Sequence, residues 1–265
     1  MTVTAGRPTM AGRERSRWLI AGGVVTAVAL AFTCLYVWDW FARGEETQHQ
    51  TYHQRVNRIV VDLNMGDLTI TAGDTDQVSV DRELTWSIFK PQVEERWDPG
   101  TQTLRVWFHC APTITGKCSV SYMLGVPPDV PVEARTGSGN ITVREMRGDL
   151  RLSATSGNVD VANSRGTVWA HSTSGNVRVN GARSQSVDAR TTSGDVDLRF
   201  AEAPGTVNAK TTSGNVNVAV PAGTSYFVGA QAQSGEQKVS VGSDPRAEHK
   251  IYAHAGSGHV RVVYS

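Results

Sequence analysis

The fold class that this 265-residue sequence predicts is all-β: a right-handed parallel β-helix or solenoid-like repeat domain, preceded by one transmembrane helix. Three observations predict it. Residues 18–38 form an apolar run of 21 residues without a single charged, amide or imidazole side chain. From residue 136 a Thr-Ser-Gly-Asn motif or a close variant returns every 18–23 residues. Between its copies, apolar and polar residues alternate with the period of a strand.

The apolar run comes first. At 1.5 Å rise per residue it spans the ~30 Å hydrocarbon core of a bilayer. Trp18 stands at one end, and Tyr36, Trp38 and Trp40 at the other, where amphipathic rings prefer the headgroup level. Arg7, Arg13, Arg15 and Arg17 precede it against Glu14 alone, which predicts a cytoplasmic tail over 1–17 and an extracytoplasmic C-terminal part. A cleavable signal peptide ending at Ala29-Leu30-Ala31 is the rival reading, but the apolar run continues through Phe32, Leu35, Tyr36 and Val37. Ala31-Phe32-Thr33 before Cys34 also fits a lipoprotein site poorly, so a retained anchor, and hence a single-pass cell-membrane protein, is expected.

Residues 39–54 are polar without apolar periodicity and read as a linker. Residues 55–134 read as a leading β region: Ile59–Leu63, Leu68–Ile70, Val78–Val80 and Leu84–Trp86 alternate, with turns at Gly73-Asp74 and Asp98-Pro99-Gly100. Cys110 and Cys118 flank a short segment between the alternating runs Leu104–His109 and Ser119–Leu124, which reads as a hairpin stapled near its turn. Closing so small a loop stabilises by about 2–3 kcal/mol in the chain-entropy model. Two free buried thiols and a zinc site with His109 are the alternatives.

Residues 135–265 carry the repeats. The main corners are Gly139-Asn140, Gly157-Asn158, Gly175-Asn176, Gly194-Asp195 and Gly214-Asn215, with fainter copies at Ser234-Gly235-Glu236 and Ser257-Gly258-His259. Gly148, Gly166 and Gly205 mark a second turn midway, so each unit is two short strands and two turns, one coil of a solenoid. The inward residues follow from the alternation. After each corner come Ile141 and Val143, Val159 and Val161, Val177 and Val179, Val196 and Leu198, Val216 and Val218. Before it, Leu150-Leu152-Ala154, Val168-Ala170-Ser172, Val187-Ala189-Thr191 and Val207-Ala209-Thr211 shrink toward the corner. Glycine supplies the positive φ, and the Asn/Asp series should stack at ~4.8 Å as a hydrogen-bonded ladder. The outward Asp160, Arg178 and Asp197 fall at matching positions and should pair as surface ions.

With these units laid out, the chain resembles the bacterial putative-adhesin family of β-strand-repeat proteins, a family classed by a domain of unknown function. The resemblance covers about residues 55–263. It rests on Val61-Asp62-Leu63-Asn64-Met65-Gly66-Asp67-Leu68-Thr69-Ile70, on Tyr122-Met123-Leu124-Gly125-Val126-Pro127 and on the serial Ser-Gly-Asn-Val units. It implies an envelope-associated β domain, sometimes tied to envelope-stress loci, and supplies no catalytic residues.

Composition and motifs narrow the function. After residue 38 the chain holds 22 basic and 24 acidic groups, with none of the basic stripe expected of a nucleic-acid binder. A carbohydrate-active β-helix enzyme would need two facing carboxyls. The outward acids are Asp160, Asp188, Asp195, Asp197 and Glu202, with Arg178 placed between Asp160 and Asp197. The turns lack the paired glycines and serial aspartates of a calcium roll, so no metal or other cofactor is expected. A surface patch of Trp169, His171, Arg190 and Lys210 is the one candidate contact for an anionic or sugar ligand. The reading is a non-enzymatic, membrane-anchored protein presenting a surface to wall polymer, to an envelope protein or to a second copy of itself. An accessory or sensory domain of an envelope-stress system is the alternative.

Overall fold

The computed structural model describes the backbone of residues 12–41, 44–87, 89–111 and 118–265, with side chains for all of these except 12–20, 35, 36 and 38–41. The first element is helix α1, Gly12–Phe41, which contains the expected span 18–38. Its side chains from Ala21 to Cys34 are all exposed, Val25 at 68% and Phe32 at 71%. Among the described residues no helix is long and apolar enough to cross a membrane. The side chains of Trp18, Tyr36, Trp38 and Trp40 and of Arg13, Arg15 and Arg17, and the whole of Arg7, lie outside the described residues.

The rest is β. In the leading region the strands are β1 (Gly44–Tyr52), β2 (Arg58–Met65), β3 (Leu68–Ala72), β4 (Val78–Trp86), β5 (Gln92–Asp98), β6 (Thr103–His109) and β7 (Cys118–Val126). The repeats give β8 (Val132–Ser138), β9 (Ile141–Arg144), β10 (Leu150–Ser156), β11 (Val159–Ala162), β12 (Val168–Ser174) and β13 (Val177–Ala182). They continue as β14 (Ser186–Ser193), β15 (Val196–Phe200), β16 (Thr206–Ser213), β17 (Val216–Val220), β18 (Tyr226–Ser234), β19 (Gln237–Val239), β20 (His249–Ser257) and β21 (Val260–Tyr264). Each coil sends its long strand into one sheet, turns at the Ser-Gly-Asn corner, and returns through a short strand in the other. The sheet of short strands runs β1-β4-β7-β3-β9-β11-β13-β15-β17-β21-β19, and the sheet of long strands β18-β20-β16-β14-β12-β10-β8-β2-β6-β5. Pairing is parallel throughout except β1–β4, β4–β7 and β5–β6.

The core lies between the two sheets. Every residue assigned inward by the alternation is buried, from Ile141 and Val177 at 0% to Ser172 at 6% exposure. Burying one such valine or leucine is worth roughly 1.5–3 kcal/mol, and a register slip of one residue would turn each strand's set to solvent. The small residues next to the corner also bond: the hydroxyls of Ser172, Thr191 and Thr211 donate to the carbonyls of Gly157, Gly175 and Gly194 one coil earlier. The far turn adds members that the sequence reading left out. Met146, Ala182, Phe200 and Val220 are buried there, and Ser164 and Ser184 bond each other at 3.1 Å.

The corner ladder forms with a different wiring. The expected side-chain bonds run between Asn140 and Asp67 and between Asn215 and Asp195, both at 3.2 Å. The continuous chain of bonds instead joins each side-chain oxygen to the next coil's backbone N–H. Asn140 Oδ1 accepts from Asn158 N at 3.0 Å, Asn158 from Asn176 at 2.9 Å, Asn176 from Asp195 at 2.8 Å and Asp195 from Asn215 at 2.7 Å. Only an oxygen is needed, so Asp195 serves as well as Asn. Asn158→Asp, whose neighbouring rungs Asn140 and Asn176 are both amides, is therefore expected to leave thermal stability within about 0.5 kcal/mol, while Asn158→Ala, which orphans the Asn176 N–H, costs about 1–3 kcal/mol. Chemical denaturation of the two variants side by side checks this; equal losses would refute it.

Both ends depart from chain order. The corner glycine N–H of Gly214 donates to Ser257 O, and that of Gly258 to Ser234 O, so the coil β20–β21 is inserted between β16–β17 and β18–β19. At the other end β2–β3 lies against β8–β9, and β6–β7 is stacked outside it. The leading region is thus the first coils of the same stack rather than a separate layer. Two expectations are corrected here. Residues 39–54 are not all linker, because Gly44–Tyr52 pairs antiparallel with β4; lacking apolar alternation, it is held by an edge ladder and by polar side chains. The Cys110–Cys118 segment is not a hairpin: β6 and β7 belong to different sheets and do not pair with each other. The two cysteines are bonded, with Cα atoms 6.1 Å apart, and tie the end of β6 in one sheet to the start of β7 in the other. Pro112 and Gly116, read as turn residues there, lie outside the described residues.

Candidate interaction surface

Outward side chains of the long-strand sheet form rows that cross the strands. The parallel register places Glu133, Arg151, Trp169, Asp188, Asn208 and Tyr252 in one row. Arg135, Ser153, His171, Arg190, Lys210 and His254 form the next. The patch expected from Trp169, His171, Arg190 and Lys210 is therefore contiguous. Trp169 and His171 stand 3.6 Å apart between ring centroids, tilted by 35°, and the Arg151 guanidinium lies 4.1 Å over the Trp169 ring. A residue left out of that patch ties it together. Asp188 accepts from Arg190 at 2.6 Å and meets His171 Nε2 at 3.1 Å. Its alternation phase placed it outward; only the coil-to-coil register shows that it faces His171.

Burial holds the His171 imidazole below its ordinary pKa, partly offset by the Asp188 carboxylate beside it. The ring is thus neutral in the fold at a pH where an unfolded one, titrating near 6.5, takes up a proton. Stability linked to His171 is present above that value and falls as the pH drops through it toward the folded pKa. NMR titration of the His171 ring should give a midpoint below 6.5, and His171→Gln should flatten the acid limb of the stability profile; a midpoint above 6.5 would contradict this.

On the short-strand sheet Asp160, Arg178 and Asp197 are in register as the sequence led one to expect, and Asn217 extends the row. Arg178 Nη1 lies 3.5 Å from Asp160 Oδ1, and Asn217 Nδ2 donates to Asp197 at 2.8 Å. Exposed pairs of this kind contribute about 0–1 kcal/mol. Each acid considered for catalysis has a structural partner: Asp160 on Arg178, Asp188 on His171 and Arg190, Asp195 in the corner ladder, Asp197 on Asn217, and Glu202 on Arg183 at 3.1 Å.

A polar cluster at the first end was not anticipated. Arg82 of β4 and Glu95 of β5 come from opposite sheets and form an ion pair, with side chains only 20% and 6% exposed. Tyr52 O–H donates to the same carboxylate, and Arg82 Nε donates to Gln48 Oε1 at 2.7 Å. Burial raises the Tyr52 and Tyr122 phenols, which stay neutral well above their ordinary range. The signal was in the alternation: Arg82 continues the inward phase of Val78 and Val80, and Glu95 sits between Val93 and Trp97. These groups plug the open end of the stack, where a further coil would otherwise lie. Beside them, Asp62, Arg96, Trp97, Arg105, Trp107 and His109 line an open groove of about 670 Å³.

Comparison with known proteins gives the lineage. The structure of a putative adhesin from Bacteroides fragilis has a TM-score of 0.50 at 13% identity, covering 83% of this chain and 97% of that one. One from Parabacteroides merdae gives 0.41 at 11% over 83% and 96%, and a putative cell adhesion protein from Clostridium sporogenes 0.39 at 12% over 84% and 100%. At such identities the first of these speaks for the fold alone. No curated protein matches the chain. The family model Toastrack DUF4097 matches residues 131–263, the whole run of Ser-Gly-Asn coils and half of the sequence, and the chain belongs to that family.

Proposed function

We propose that this protein is anchored in the cell membrane by one span over residues 18–38. In this reading it holds its β stack on the extracytoplasmic side as a non-enzymatic surface for adhesion or for contact with envelope components. The observation that supports the reading is the helix over the apolar run: from Ala21 to Cys34 it has no charge and no buried side chain, an exposed surface of the kind lipid covers. The arginines ahead of it favour a cytoplasmic N-terminus, and the disulfide at Cys110–Cys118 suits an oxidising compartment. The flat, internally paired outer rows support contact over an area rather than chemistry at a point. Wall polymer, a neighbouring envelope protein or a second copy are the partners such a surface suits; no nucleic acid is involved.

The test is carbonate extraction and protease shaving of intact cells producing the full chain with an N-terminal tag. The protein should stay in the membrane pellet, and protease should remove the β domain while sparing the tag. Release by carbonate, or a β domain untouched until the cells are lysed, would overturn the proposal.

A further inference from the structure

Charged side chains stand in rows on both sheets. The outer row of the short-strand sheet starts with alternating sign, Asp160–Arg178–Asp197, and continues through Asn217 to Arg261 and Lys238. The row Arg135–Ser153–His171–Arg190–Lys210–His254 on the long-strand sheet holds bases and no acid across six adjacent strands, ~24 Å at the strand spacing, with Glu133 on Arg135 and Asp188 on His171 and Arg190 from the row beside it. Like charges directly opposite one another destabilise a sheet. Arg190 and Lys210 are nevertheless register partners, and among the described residues Lys210 has no ion-pair partner. Next to them the Tyr252 ring is 42% exposed, at the edge of a shallow depression of about 490 Å³ that Lys210 and His254 also line. Gly229 keeps that depression open, since a Cβ there would stand 3.2 Å from the Tyr252 ring.

We infer that this face binds an anionic glycan laid along the stack axis. Its acidic groups face Arg190, Lys210 and His254, and one sugar ring packs on Tyr252. The complementarity is between a linear polyanion and a linear array of bases that recurs once per coil, with an aromatic platform of the kind sugar faces pack against. The inference rests on the reading of the chain as a surface-presenting envelope protein, and names the ligand class and the face.

The test uses the full chain in detergent micelles, immobilised and exposed to polygalacturonate, to a glycerol-phosphate polymer and to neutral dextran. Retention of polygalacturonate but not dextran is expected, weakening steeply with added salt; retention of the glycerol-phosphate polymer alone, which has no sugar ring to pack on Tyr252, would overturn the inference. Lys210→Glu should weaken retention about tenfold or more, Lys210→Gln less, and Tyr252→Ala about three- to tenfold. Arg199→Glu on the other sheet should leave it unchanged. Equal binding of dextran, equal loss from Lys210→Glu and Arg199→Glu, or tighter binding of duplex DNA or of anionic lipid vesicles would each overturn the inference. If no polymer binds while shaving places the β domain outside the cell, this inference falls and the functional proposal stands. Polymer binding by a chain that shaving finds inside would separate the two in the opposite sense.

Discussion

Gly175→Ala is expected to cost more than about 4 kcal/mol, enough to lower the melting temperature of a domain this size by about 10 °C. Gly175 holds φ at +152°, a region that residues with a Cβ scarcely enter, and a Cβ there would overlap the Gly157 carbonyl oxygen of the coil below. Relief is blocked from several directions. The Gly175 N–H is bonded to Ser193 O, its carbonyl receives the Thr191 hydroxyl, and the Asn176 rung sits next along the chain. Moving the corner therefore breaks bonds to the next coil and, through the Asn176 N–H that donates to Asn158 Oδ1, to the preceding one. Gly242→Ala is the control: its nearest neighbour beyond the adjoining residues would be 4.0 Å from the added methyl, and about 0.5 kcal/mol or less is expected. Thermal unfolding of both variants decides the matter. Comparable losses would mean that the corner stack is not what the coils depend on.

Glu95→Gln is the second large effect, an expected loss of about 3–5 kcal/mol. It leaves the Arg82 guanidinium charged between the two sheets with its carboxylate gone, and weakens the acceptor for Tyr52. Because the penalty comes from the stranded charge, Arg82→Met combined with Glu95→Leu should recover most of it. The double variant is predicted to lie within about 2 kcal/mol of the parent, or above it. If the double variant is as unstable as the single one, the pair is not simply a plug whose charge can be replaced by apolar packing.

The repeat geometry was legible because it is local. Val177, Val179, Val187 and Ala189 declare their side of the strand through alternation alone, and the glycine of each Ser-Gly-Asn corner declares the turn. Pairing partners are not local. The runs Leu104–His109 and Ser119–Leu124 look like two arms of a hairpin, yet alternation says only that each is a strand, and a two-sheet coil uses strands of the same kind. The strand Gly44–Tyr52 left no apolar mark because its ladder to β4 is backbone, and its side-chain anchors, Glu46 and Gln48, are polar. At the surface, Trp169 and His171 were legible as neighbours two residues apart. Asp188, 17 residues from His171, needed the coil spacing to within one residue, and units of 18 to 20 residues do not fix it. Arg82 and Glu95 were in phase with the core but chemically disguised, since a charge at an inward position reads as a break in the pattern.

The inserted coil has a mechanical consequence. A stack wound in chain order can be peeled from its tail, each coil leaving with little resistance once the one above it has gone. Here the chain's last strands are clamped on both sides, β20 between β16 and β18, and β21 between β17 and β19. A force applied at Ser265 must shear out an interior layer before any outer one is free. Pulled from that end, such a stack should yield late and abruptly rather than unravel one turn at a time.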